Sequence, residues 1–96
     1  MKVRYTATAI QEIEDILFYI AEENSSAALK VSLTIVATIA RVADFPRTTV
    51  ETDVPGVSVA PVLPYRYLIF FSVAGDVLIV RNVRHSARRQ PDLSEF

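Results

Sequence analysis

Residues 65–89 read YRYLIFFSVAGDVLIVRNVRHSARR, and this stretch decides the fold. Two runs, 65–73 and 77–83, are apolar at nearly every position, as central strands covered on both faces would be. Ala74-Gly75-Asp76 between them supplies the small and acidic residues of a tight turn, so the pair is predicted to form a β-hairpin. If Gly75 and Asp76 are the two loop residues, Ala74 pairs with Val77. Counting back in unbroken register then sets Arg66 opposite His85, on the same sheet face as Arg81.

Upstream of this hairpin, residues 57–63 (VSVAPVL) resume strand character, but Pro61 and Pro64 cannot donate ladder hydrogen bonds and place the segment at an edge or a bulge. Residues 47–56 (RTTVETDVPG) read as a connecting loop, entered through Phe45-Pro46, which stops whatever helix precedes it. Residues 26–44 would suit a strand by their β-branched content, but their length decides for a helix. Wound at 100° per residue, this helix shows a narrow polar stripe of Lys30, Thr34, Thr38 and Arg41, and an apolar surface centred on Leu29, Leu33, Val36 and Ala40. An apolar surface that wide packs on two sides. A first helix opens at Thr8 and Gln11, which read as a capping box, and ends near Asn24. Ile10, Ile13, Leu17, Ile20 and Ala21 form its inner stripe, with Glu12, Asp15, Glu22 and Glu23 opposite. Before it, residues 2–6 (KVRYT) alternate as a short strand. The order is strand, helix, helix, strand, strand, strand: an α+β fold with an N-terminal α-hairpin packed on a mainly antiparallel sheet, in one domain spanning 1–96.

Composition narrows the chemistry. The 96 residues include no Cys and one His, which excludes disulfide frameworks, thiolate zinc sites and clusters of imidazole ligands, so neither a metal nor a cofactor is expected. A hydrophobic share of 51% is high for so short a chain and calls for a partner or for self-association. Acids near the N-terminus replace the apolar core a signal peptide needs, and the longest charge-free run, 54–65, holds three prolines, so a cytoplasmic protein without membrane contact is expected. The net charge of −1 conceals an uneven distribution. Residues 1–65 carry five Lys or Arg against eight acids, whereas 66–96 carry five Arg against three acids. Arg81, Arg84, Arg88 and Arg89 surround the single His85 with no acid between them. Such a basic terminal segment suits docking to nucleic acid or to an acidic protein.

Two readings of that segment differ in kind. A metal-free ribonuclease needs a base, an acid and cations around the phosphorus, and Arg66, His85 and Arg88 could serve, since His85 alone has an unperturbed pKa near neutrality. In the other reading Arg66 is a half-buried strand residue paired to an acid such as Glu14, and His85 is structural.

With strand order, hairpin and tail in hand, the chain resembles the RelE/ParE superfamily of bacterial toxin–antitoxin toxins over nearly its whole length. The likeness is carried by the Tyr-Arg strand at Tyr65-Arg66, the acidic hairpin turn, the apolar strand and the His-x-x-Arg segment from His85 to Arg88, with support from the Ile10-x-x-Ile13 helix. The resemblance implies a cognate antitoxin that wraps the toxin into a hetero-oligomer. It also implies one of two targets: the ribosome, where RelE-like members cut mRNA, or DNA gyrase, which ParE-like members poison. Arg66 matches the family's strand arginine, and Arg88 or Arg89 its C-terminal one. The strand before Tyr65 is VSVAPVL, without the ionisable groups of the nucleases, and VRHSARR at 83–89 looks closer to the ParE branch. The expectation is therefore a non-enzymatic gyrase poison whose Arg81, Arg84, His85, Arg88 and Arg89 contact the target; a metal-independent endoribonuclease and a non-toxic antitoxin-binding or dimerisation module are the alternatives.

Overall fold

The computed structural model describes residues 1–86. Strand β1 (Lys2–Tyr5) leads into helices α1 (Ala7–Glu23) and α2 (Ser25–Asp44), a 3-10 turn (Pro46–Thr48) and strands β2 (Val50–Glu51), β3 (Ser58–Pro61), β4 (Tyr67–Ala74) and β5 (Val77–His85). The five strands lie in the order β1-β5-β4-β3-β2, with β1 parallel to β5 and every other pair antiparallel. The α+β order holds as expected from the sequence. Strand β2 is an addition, a two-residue bridge from the loop to β3.

Local chemistry sets the boundaries. Thr6, rather than Thr8, caps α1: its Oγ1 accepts the Ala9 N–H at 3.0 Å and donates to the Arg81 carbonyl at 2.8 Å. Gln11 does not close a capping box, since its amide donates to Asp15 Oδ1 instead. Asn24 ends one helix and begins the next, its N–H donating to the Ile20 carbonyl while its Oδ1 accepts from Ala27 N. A single residue thus turns the hairpin. The turn between β4 and β5 has Ala74 opposite Val77 as expected, with φ +62° at Gly75 and no positive φ at Asp76, the pattern of a type II′ turn. Pro61 lies beyond the two residues of β3 that β2 covers, so its missing N–H costs no ladder bond.

The main core lies between the helices and the sheet, built from Val31, Ile35, Ile39 and Val42 of α2, Ala9 of α1, and Ile69, Phe71, Leu78, Val80 and Val83 of β4 and β5. The buried stripe of α2 is therefore its β-branched series at i, i+4, i+8 and i+11, and Thr38 joins it. The expected polar stripe is broken there because the Thr38 hydroxyl donates to the Thr34 carbonyl, leaving its methyl for the core. Conversely Leu29, Leu33 and Val36, the centre of the expected apolar surface, are 61%, 60% and 59% exposed. By length and composition alone α2 could cross a bilayer, but in the fold one side of it covers the sheet. A second, smaller cluster of Val57 and Phe70, with Val54, Val59 and Leu68, sits on the opposite face of the sheet under loop 52–57.

Candidate functional site at the end of β5

Strand β1 stops at Tyr5, and the Thr6 N–H donates the last backbone bond from that side to the Val80 carbonyl. From Arg81 onward, β5 has no strand neighbour on its β1 side, and the edge N–H of Val83 needs an acceptor. Glu12 of α1 supplies it. Its Oε1 accepts from Val83 N at 3.0 Å and from Asn82 Nδ2 at 3.1 Å, and its Oε2 lies 2.7 Å from Arg84 Nε. One carboxylate thereby closes a sheet edge and fixes the strand that carries the basic segment.

A β-bulge alters the register at this point. Phe71 pairs with Val80 but Phe70 pairs with Asn82, leaving Arg81 as the extra residue. Every pairing beyond it shifts by one: Tyr67, not Arg66, faces His85, and Arg66 accepts from Ser86 N through its carbonyl at 2.8 Å. The shared face expected for Arg66, Arg81 and His85 does not form. His85 falls on the helix side, its ring edge-on to Tyr67 with centroids 5.4 Å apart. There it lines a groove of about 660 Å³ with Asp15, Ile16 and Tyr19 of α1. Arg66 is exposed at a register position facing the opposite side.

Arg81 is buried at the bulge, where loss of solvent pushes its guanidinium pKa below the ordinary value. Arg84 is half-buried against Glu12. Arg88 and Arg89 lie outside the described residues. Of the nuclease trio, the two described members, Arg66 and His85, fall on opposite faces, and of the five expected target-binding residues the three that are described divide: Arg84 and His85 line one groove beside Glu12, and Arg81 is buried at the bulge. The pairing weighed for Arg66 and Glu14 is replaced by one between Arg84 and Glu12; Glu14 instead lines the cleft between α1 and α2 near Ser32 and Val36. Glu12 is the residue that sequence reasoning placed on the solvent side. Its signal was available: it lies three residues after the buried Ala9 and four before Ile16, on the flank of the inner stripe.

The fold has known counterparts. In "Chromosomal ParDE TA system from P. aeruginosa", a chain 19% identical superposes with a TM-score of 0.75, covering 88% of this chain and 95% of its own. The isolated E. coli RelE toxin superposes with a TM-score of 0.61 at 17% identity, covering 98% of this chain and 92% of its own. No curated protein sequence matches at a significant level. The family described as "ParE toxin of type II toxin-antitoxin system, parDE" matches residues 3–90, and with nearly the whole chain so covered the protein belongs to the ParE toxin family.

Proposed function

We propose that this ParE-family toxin inhibits growth in the bacterial cytoplasm by binding DNA gyrase through its basic C-terminal segment, and that a cognate antitoxin holds it inactive. The observation that carries this reading is the bulge at Arg81: it sends Arg66 and His85 to opposite faces, which favours docking by the strand end over acid–base cleavage by those residues. Arg84, Arg88 and Arg89 contact the target, and Glu12 positions the strand from which they emerge. The antitoxin has a surface to cover in the exposed Leu29, Leu33 and Val36 of α2, an apolar row that no part of the described chain shields.

Deletion after Ser86 tests the assignment, because the last pairing among the described residues, Ser86 N to the Arg66 carbonyl, is kept. The truncated chain is expected to fold and to lose toxicity. A truncated chain that folds and still arrests growth contradicts the assignment.

A further inference from the structure

The sheet has a face without helices, and the register assigns its occupants. Val3 and Leu78 belong to the helix-side core, so Lys2 and Arg4 on β1 alternate to the far face. On the other side of the bulge, Ile69 and Val83 face the helices, so Leu68, and Arg66 one step before Tyr67, alternate to the far face, whereas the Arg84 guanidinium turns to Glu12 of α1. Lys2, Arg4 and Arg66 are exposed. No strand residue of this face is an Asp or a Glu: Glu51 pairs with Ser58 on the helix side, and Asp76 and Asp53 lie beyond the strand ends. The acids are segregated instead on α1, whose Glu12, Glu14, Asp15, Glu22 and Glu23 face no base of their own helix. A chain of net charge −1 thereby presents one cationic face and one acidic face.

We infer that the helix-free face of the sheet docks the phosphate backbone of nucleic acid, double-helical DNA in particular. The cations run diagonally from Lys2 and Arg4 on β1 to Arg66: Arg4 is level with Ile79 and Ser72, and Arg66 lies six residues from Ser72, about 20 Å at ~3.3 Å per residue. That span matches several successive phosphates. The apolar side chains between them, Leu68, Phe70 and Ile79, are buried or half-buried, and no exposed aromatic ring stands among the strand residues of this face to stack an unpaired base. The surface therefore follows a backbone rather than splaying single strands. The inference concerns residues other than the C-terminal segment and is tested without gyrase, so its failure is distinct from failure of the gyrase reading.

The test is fluorescence anisotropy of the full chain with a labelled 20-base-pair DNA, its single strand and an RNA of the same sequence. Three phosphate contacts lower duplex affinity roughly 40-fold between 50 and 200 mM salt. The double variant Lys2→Gln/Arg4→Gln, whose residues are exposed on an edge strand, is expected to bind duplex at least about tenfold more weakly and to lose about 1.8 from the salt slope. Arg47→Gln, on the 3-10 turn, is expected to bind as the parent does. Circular dichroism confirms that each variant folds. Preference for single strands or RNA over duplex overturns the assignment to double-helical DNA. A double variant that binds as tightly as the parent places binding in the tail and overturns the proposal, as does failure of any nucleic acid to bind, which leaves an acidic protein as the partner of this face.

Discussion

Glu12 holds the candidate site together, since two donors of β5 and the Arg84 guanidinium converge on one carboxylate. Replacing it with Ala leaves the buried Val83 N–H and the Asn82 amide without their acceptor. A loss of about 1–3 kcal/mol is expected in urea unfolding, against less than about 0.5 kcal/mol for Glu22→Ala at the exposed end of the same helix. Equal losses would remove the special role of Glu12. Thr6 has a similar double duty, capping α1 and gripping the carbonyl at the bulge. Thr6→Ala is expected to cost about 1–2 kcal/mol and Thr6→Ser much less, because the serine hydroxyl can make both bonds. The convergence of these bonds on a bulge was not legible in the sequence. The hairpin turn was readable from Gly75-Asp76, and so was the pairing next to it, but the segment Val80-Arg81-Asn82 holds no glycine or proline to mark an inserted residue. One extra residue moves each later side chain to the other face, which is why Arg66 and His85 parted.

At the scale of elements, the helices and the order of strands followed from periodicity and length, whereas the orientation of α2 did not. Both of its faces are apolar, and a helical wheel cannot tell which one the sheet will take. The β-branched series won because Val31, Ile35, Ile39 and Val42 fill the space over Ile69, Phe71, Leu78 and Val80, with Thr38 satisfied inside the helix. The two faces are separable by mutation. Ile35→Ala is expected to destabilise the free protein by about 2–5 kcal/mol, as a buried truncation does. Leu33→Ser is expected to change stability by less than about 0.5 kcal/mol yet weaken capture of the toxin by its antitoxin, as read by co-purification and thermal unfolding of the same variants. If Leu33→Ser leaves the antitoxin bound as before, the outer face of α2 is not its seat.

The whole molecule separates three surfaces: an acidic α1, an apolar outer face of α2 and a cationic helix-free sheet. Composition gave only their sum, a net charge of −1 with excess apolar residues, and the separation appears once strand register assigns each side chain to a face. Membership of the ParE toxin family places the molecule in a toxin–antitoxin pair, and the basic end beyond the bulge directs the proposed target. The most direct measurement is pulse-labelling of DNA and protein synthesis after induction of this chain alone in a bacterial host, with the antitoxin supplied as rescue. DNA synthesis is expected to stop first, with filamentation and recovery on rescue. Collapse of protein synthesis ahead of DNA synthesis would contradict gyrase as the target.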